Sequence, residues 1–219
     1  MGAKRGPVGG GPVDDDGRMT VLEIVALVVY AAFLAVLFGW RTVDAKRRTG
    51  ESAWRRPISR TDAVGETLCG AACAVSLAGP VLGLLGVVDP IGLGGGGLRL
   101  VVTVVTLAGA IALGLWAQHH LASEWRAGIE ASGHLVTTGP FARVRNPFYL
   151  ACLMASVGVA VGVPSIVSLC GVVLHVVASE VIVRGVEEPV LARTHPEEFP
   201  RYRRRTGRFL PSPRAMGRS

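Results

Sequence analysis

The sequence predicts an all-α integral membrane protein with five transmembrane helices, from its composition, its long uncharged stretches and the placement of its basic residues. Half of the 219 residues are apolar and only 6% are aromatic, so Val, Leu, Ala and Gly must supply most of the buried surface. This composition is typical of helices packed in a bilayer. A hydrocarbon layer of about 30 Å requires about 20 apolar residues in each crossing helix.

Five helices follow from four uncharged stretches, 24–40, 67–88, 100–117 and 148–179. The first three each suit one crossing. The fourth is too long for one helix, and Pro164 lacks the amide that a continuous helix would use and disfavours helical geometry at Val163. We therefore expect its two halves to form a short helical hairpin. The predicted helices cover about residues 20–40, 63–88, 99–118, 148–163 and 165–183, within a transmembrane domain at 20–183.

Two further segments flank this domain. Residues 1–19 are polar and Gly-rich, so we expect a disordered N-terminal tail. Residues 184–219 are rich in arginine, and we expect a cytoplasmic C-terminal segment. The first apolar stretch is expected to be retained, because its basic cluster follows it instead of preceding it as in a signal peptide.

The positive charge predicts orientation. The net charge is +7, and the basic residues concentrate after the first and the fifth predicted helices. Basic loops stay in the cytoplasm, so we expect a protein of the cell (inner) membrane with its N-terminus outside and its C-terminus inside. Nucleic acid is not an expected partner, because the charge is explained by topology. The sequence does not predict the oligomeric state.

The four cysteines all lie in apolar stretches, where we expect them to pack as small apolar residues. Cys69 and Cys73 share a helix face, but a thiolate metal site would need two more ligands at the same depth. No metal site is predicted.

Polar residues gather at one membrane face. The segment 118–147 is expected to lie on the cytoplasmic side, and Glu180, Arg184 and Glu187 share one face at the cytoplasmic end of the fifth helix. Glu180 follows directly on the uncharged stretch, where an ionisable group usually faces a polar cavity. Because the last two helices form a hairpin, their cytoplasmic ends must be close together. The sequence therefore predicts a polar chamber at this end, on the cytoplasmic side.

Two motifs carry a family resemblance, "HLVTTGPFARVRNPFYL" at 134–150 and "EEPVLARTHPEEFPRYRRRTGRFLP" at 187–211. Their order, spacing and position beside the hairpin resemble the isoprenylcysteine carboxyl methyltransferase family, with its bacterial members and the related phospholipid N-methyltransferases. The similarity covers roughly residues 116–211. It implies a membrane enzyme that uses S-adenosyl-L-methionine (SAM) as its methyl donor and has a lipid-soluble or prenylated acceptor and membrane lipids as its partners. The polar chamber is then expected to be a cytoplasmic cofactor pocket, which the C-terminal segment 184–219 completes.

The resemblance also implies site residues. Glu187 matches the family's cofactor-binding glutamate, while Phe141 and Asn146 replace a tyrosine and a histidine of the family pattern. The expected cofactor-binding residues are Gly133, His134, Leu135, Val136, Gly139, Phe141, Asn146, Pro147, Phe148, Tyr149 and Glu187.

The expected catalytic residues are Arg145, Arg184 and Glu188. Arg145 and the Asn146 amide could hold the methionyl carboxylate of the cofactor. Arg184 lies near the position of a substrate-binding arginine in the family. Glu188, or alternatively Glu180, could help to remove a proton from an amine acceptor.

Carboxyl O-methylation of an isoprenyl-type or other lipidic substrate is the expected reaction, and phospholipid or amine N-methylation stays open. A sterol-type membrane reductase has a similar C-terminal ending, but it would use a reduced nicotinamide cofactor and usually has more helices. A small membrane transporter would show internal repeats and helices broken at the bilayer midplane, and the sequence contains no repeat.

Overall fold

A computed structural model describes residues 13–40, 42–43, 57–89, 91, 95–121 and 135–212, which form helices and no β-strand. Five apolar helices build the bundle, and two short helices follow them. Two helices continue into π turns, α1 at Ala35–Trp40 and α5 at Val183–Glu187, and a 3-10 turn at Gly139–Ala142 precedes α4. The helices are α1 (Val13–Leu34), α2 (Arg60–Leu84), α3 (Gly96–His120), α4 (Pro147–Gly162), α5 (Ile166–Ile182), α6 (Glu188–Thr194) and α7 (Glu198–Arg205).

Four helical stretches are long and apolar enough to cross a membrane: Thr20–Gly39, Arg60–Leu84, Gly96–His120 and Ile166–Thr194. The shorter apolar helix α4 has 16 residues, which correspond to a length of about 24 Å. The prediction of an all-helical membrane protein is confirmed. Five crossings, the choice of membrane and the orientation of the termini stay predictions.

The predicted hairpin is present. α4 ends at Gly162 and α5 begins at Ile166. Between them, Val163 adopts φ −124° and ψ 77°, the non-helical geometry expected before Pro164. Ser165 begins α5 by accepting a hydrogen bond from the Ser168 amide at 3.2 Å.

Two helix boundaries differ from those predicted. α1 begins at Val13, inside the segment 1–19 that was predicted to be disordered, and residues 1–12 lie outside the described residues. α2 ends at Leu84 instead of residue 88, because Gly86 adopts φ 64° and closes the helix.

The start of α2 also differs, at Arg60 instead of residue 63. The Ser59 hydroxyl accepts a hydrogen bond from the Asp62 amide at 3.1 Å, and the Asp62 carboxylate accepts one from the Ile58 amide at 2.9 Å. These reciprocal bonds satisfy amides that a helix start would otherwise leave unpaired.

Close helix packing depends on small residues. α2 packs along α5, α3 packs along α4, and α1 contacts α2, α3 and α4. Gly65 of α2 faces Ile182 of α5, and Gly171 of α5 faces Ser76 of α2; a Cβ atom at either glycine would overlap the facing side chain. The two helices can therefore approach closely along their length.

A central polar cluster, defined as Cys73, Ser76, Ser156 and His175, lies among α2, α4 and α5. The His175 Nδ1 atom is 2.6 Å from the Ser156 hydroxyl oxygen, and its Nε2 atom is 3.7 Å from the Cys73 sulfur. Ser76 donates a hydrogen bond to Ser156 at 3.1 Å. The cluster thus joins three helices through neutral groups.

The two ends of the bundle differ. At one end, Arg99 of α3 bonds the carbonyls of Gly162 at 2.5 Å and Val161 at 3.2 Å, so it caps the last turn of α4. At the other end, which we call the site end, α1 and α3 finish, α4 begins and the π turn after α5 meets the start of α4.

Candidate functional site

The two ends of the hairpin meet through Tyr149 and Glu187. Tyr149 lies in the first turn of α4, and Glu187 is the last residue of the π turn that follows α5. The Tyr149 hydroxyl donates a hydrogen bond to Glu187 Oε1 at 2.7 Å. The structure therefore brings together two residues that lie 38 positions apart in the sequence.

Pro189 explains the π turn. A proline cannot donate a backbone hydrogen bond to the carbonyl four residues earlier, here that of Gly185, and its ring also crowds that carbonyl. The Glu188 amide instead donates to the Val183 carbonyl, five residues back, and the chain continues as α6. Single π turns are frequent at functional sites, because they re-aim a side chain without ending the helix. The insertion places Glu187 opposite Tyr149.

Next to this pair lies an arginine–glutamate network, defined as Arg145, Glu180, Arg184, Glu188 and Arg208. Glu188 accepts hydrogen bonds from Arg145 at 3.0 Å and from Arg208 at 2.8 Å. Arg208 is also 3.4 Å from Glu180, which pairs with Arg184 one helical turn away. The Arg145 and Glu188 side chains are only 9% and 12% exposed, so this pair is largely withdrawn from water.

The C-terminal segment is tied to the residues before α4. The amides of Arg145 and Asn146 donate to the carbonyls of Gly207 at 2.8 Å and Arg208 at 3.1 Å. The Tyr202 hydroxyl donates to the Phe141 carbonyl at 2.7 Å. Residues 141–146, the start of α6 and residues 202–208 therefore form one connected unit at the site end.

Electrostatics reinforce this unit. Hydrogen bonding to Glu188 raises the pKa of the Arg208 guanidinium above its ordinary value. Burial raises the pKa of the Tyr202 phenol, which stays a hydrogen-bond donor at physiological pH. Both side chains thus keep the protonation state that their contacts require.

The other predicted cofactor-binding residues fall into different positions. Gly133 and His134 lie outside the described residues. Leu135 and Val136 lie in a stretch outside any helix, and Val136 packs against the apolar core.

Gly139, Phe141 and Phe148 shape the wall beside this stretch. Gly139 adopts φ 58° and lies so close to His120 that a Cβ atom would overlap the imidazole. Phe141 and Phe148 are buried, and Phe148 packs edge-on against Phe38 with ring centroids 5.6 Å apart. Pro147, also buried, is the first residue of α4.

The groups expected to bind the methionyl carboxylate or to remove a proton are already engaged with one another. All three guanidinium nitrogens of Arg145 have partners, Glu188 through Nε and Nη2 and the carbonyls of Arg203 and Thr206 through Nη1. The side-chain amide nitrogen of Asn146, Nδ2, donates a hydrogen bond to the Arg208 carbonyl at 3.3 Å. Their direct roles toward a cofactor or substrate stay predictions.

Arg184 is the most exposed member of the arginine–glutamate network, with 64% of its side chain accessible. It projects from the π turn and pairs with Glu180. Its predicted contact with a substrate stays a prediction.

Sequence reasoning missed Arg208. It is one of several arginines in the C-terminal segment, and only its contacts with Glu188 and Glu180 distinguish it. The π turn was also missed, although Pro189 was a visible signal for it. No group of three or more His, Cys, Asp or Glu side chains within the described ranges could hold a metal ion.

Comparison with known families gives one match. Residues 98–198 match the sequence model of the phospholipid methyltransferase family, to which membrane methyltransferases similar to the isoprenylcysteine enzymes belong. The matched segment contains α3 apart from its first two residues, the hairpin and the Tyr149–Glu187 pair. No curated protein matches the chain. The family predicted from the two motifs is confirmed, and the family is one of methyltransferases.

Proposed function

We propose that the chain, whose residues 98–198 belong to the phospholipid methyltransferase family, transfers a methyl group from SAM to a lipophilic acceptor at the site end of the bundle. The observation that carries the proposal is the hydrogen bond between Tyr149 and Glu187. It places a carboxylate where the start of α4 meets the end of α5, at the end of the hairpin opposite its turn. The carboxylate's partner, Tyr149, contacts the core residue Phe148 edge-on, with ring centroids 5.9 Å apart, so apolar surface adjoins the pair.

The residues fit the chemical groups of SAM. A carboxylate can accept about four hydrogen bonds, so the Tyr149 hydroxyl and the two ribose hydroxyls can share Glu187. Residues 135–137 lie outside any helix, so their backbone can contact the edge of the adenine. Gly139, Phe141, Pro147 and Phe148 would supply apolar contacts on the same side.

SAM would supply a methyl group bonded to a sulfonium sulfur, which is an activated donor. The protein's contribution is then to align the acceptor with the donor and to exclude water. In this proposal Arg145, Asn146 and Glu188 hold residues 141–146 in place, since their polar atoms bond one another and the C-terminal segment. Arg184, exposed at the helix end, is placed to attract an anionic acceptor.

A carboxylate acceptor, such as that of an isoprenyl-type lipid, suits this arrangement. It carries no proton to remove, and the described carboxylates of the site, Glu180, Glu187 and Glu188, are bonded to arginine or tyrosine. The family's description favours the alternative, N-methylation of a phospholipid amine. That reaction releases a proton, for which Glu188 would have to leave its arginines.

Calorimetric titration of the purified protein with S-adenosylhomocysteine tests the cofactor site. We expect Glu187→Gln to weaken binding by about 10- to 100-fold, because a charge-assisted hydrogen bond contributes about 1.5–3 kcal/mol. The matched control is Glu197→Gln, which changes an exposed glutamate whose ion-pair partner among the described residues is exposed Arg201. Absence of binding by the wild type, or equal affinity in both variants, contradicts the proposal.

The acceptor class needs a separate experiment. Membranes that contain the protein are incubated with methyl-labelled SAM, and the lipids are extracted and treated with base. Methyl esters release labelled methanol, whereas methylamines keep the label. Label that resists base would overturn carboxyl methylation and support the N-methyl alternative.

A further inference from the structure

The helix α7 presents two different faces. Phe199 and Tyr202 point inward and are buried, and Tyr202 is fixed to the Phe141 carbonyl. The outward surface carries four exposed arginines, which we call the arginine face: Arg201, Arg203, Arg204 and Arg205. Because Tyr202 is anchored beside the start of α4, the arginine face lies at the level where the membrane helices begin and end.

The charge of this face is largely uncompensated. Arg201 forms an exposed pair with Glu197 at 3.7 Å, which contributes little to stability. In the part of the chain that the structure describes, no carboxylate forms an ion pair with Arg203, Arg204 or Arg205. Arg208, three positions beyond, is by contrast paired with Glu188 and Glu180. The C-terminal segment thus contains one arginine, Arg208, that is paired within the structure, and several others that remain exposed.

The opposite end of the described bundle does not repeat this pattern. Arg99, which lies at that end, is buried and bonds the carbonyls at the end of α4. Among the residues whose side chains the structure describes, the exposed arginines therefore lie in the layer where one leaflet would place its headgroups. Guanidinium groups bind phosphate oxygens in a bidentate manner, and each arginine near an anionic membrane contributes about 1 kcal/mol.

We propose that the arginine face binds the headgroups of anionic phospholipids in the leaflet at the site end. The same helix is bonded to the site through Tyr202, and the adjoining residues Gly207 and Arg208 accept hydrogen bonds from the amides of Arg145 and Asn146. Lipid bound at α7 therefore also steadies residues 141–146. This inference does not depend on the reaction that the protein catalyses.

The test compares full-length protein in nanodiscs of phosphatidylcholine alone and of an equimolar mixture with phosphatidylglycerol. Spin-labelled phosphatidylglycerol reports the lipid in contact with the protein. We expect Arg204→Gln/Arg205→Gln to weaken its association by about fivefold for each arginine, which corresponds to about 1 kcal/mol. Raising the salt concentration should weaken the wild type toward the variant.

Two controls keep the inference falsifiable. Arg60→Gln/Arg143→Gln removes the same charge from two exposed positions that lie apart from each other in the sequence at the same end, and it should weaken lipid association clearly less than the α7 variant does. Arg204→Lys/Arg205→Lys keeps the charge and should restore most of the association, which separates charge from misfolding. Equal losses in the two glutamine variants, or equal association of both lipids with the wild type, would overturn the inference.

Hydrogen exchange tests the connection to the site. The amides of Arg145 and Asn146 should exchange more slowly in the phosphatidylglycerol mixture than in phosphatidylcholine, and the Arg204→Gln/Arg205→Gln variant should lose this difference. Equal exchange rates in both lipids would overturn the claim that bound lipid steadies residues 141–146.

Discussion

The central polar cluster and the arginine–glutamate network both place polar side chains inside a mostly apolar bundle, yet they differ in charge and in what they connect. The cluster is neutral and joins helices that already pack together through glycines. The network is charged and joins residues 145, 188 and 208, which belong to separate segments. The comparison suggests that the cluster fixes helix packing, whereas the network fixes the shape of the site.

The largest effect is expected from Glu188→Gln. This change leaves the Arg145 and Arg208 guanidinium groups without their shared negative partner in a poorly hydrated place. We expect the free energy of unfolding to fall by about 2–4 kcal/mol, because removing one member of a buried pair strands the other charge. S-adenosylhomocysteine affinity should fall as well. Reversible unfolding in mixed micelles and calorimetry measure the two effects.

Glu197→Gln is the matched control for Glu188→Gln, since it neutralises an exposed glutamate in the same part of the chain. It should change neither quantity measurably. If Glu188→Gln were as stable as this control, the network would be a surface feature and the comparison would fail.

A smaller effect, on stability alone, is expected from His175→Ala. The change removes the hydrogen bond to Ser156 and the contact with Cys73, and it leaves a void among three helices. We expect the free energy of unfolding to fall by about 1–3 kcal/mol. S-adenosylhomocysteine affinity, measured by calorimetry, should stay within about twofold, which corresponds to about 0.4 kcal/mol. The reason is that the contacts described for the cluster involve neither Tyr149 nor Glu187.

Cys170→Ala, at an exposed position of the same helix, is the control for His175→Ala and should leave both properties unchanged. A large loss of cofactor affinity in His175→Ala would show that the cluster also shapes the site.

The sequence predicted the hairpin and its meeting ends because strong local signals determine both. Pro164 marks the turn, and Glu187 follows a long apolar stretch, so a short hairpin had to bring it near the start of α4. The contact of Tyr149 with Glu187 agrees with that expectation.

The network could not be predicted in the same way. Arg145 and Glu188 are 43 positions apart, and no spacing rule links them. Arg208 resembles its neighbouring arginines in sequence. Its position beside Glu188 depends on the backbone hydrogen bonds that hold residues 207 and 208 against residues 145 and 146. The start of α1 at Val13 was missed because the Gly-rich composition of residues 1–19 indicated disorder.

The smallest effect, and the most specific one, is expected from Tyr149→Phe. The change removes one hydroxyl that bonds Glu187 and leaves the ring to pack, so the free energy of unfolding should change by less than about 1 kcal/mol. S-adenosylhomocysteine affinity should fall by about 5- to 10-fold, because the carboxylate loses the donor that orients it.

In the double variant Tyr149→Phe/Glu187→Gln, the losses of affinity should not add, since the two groups act as one unit. Tyr202→Phe also loses a phenol hydroxyl, but its partner is the Phe141 carbonyl, so its effect should add to that of Glu187→Gln. An additive result for Tyr149 would mean that the tyrosine and Glu187 act independently on cofactor affinity.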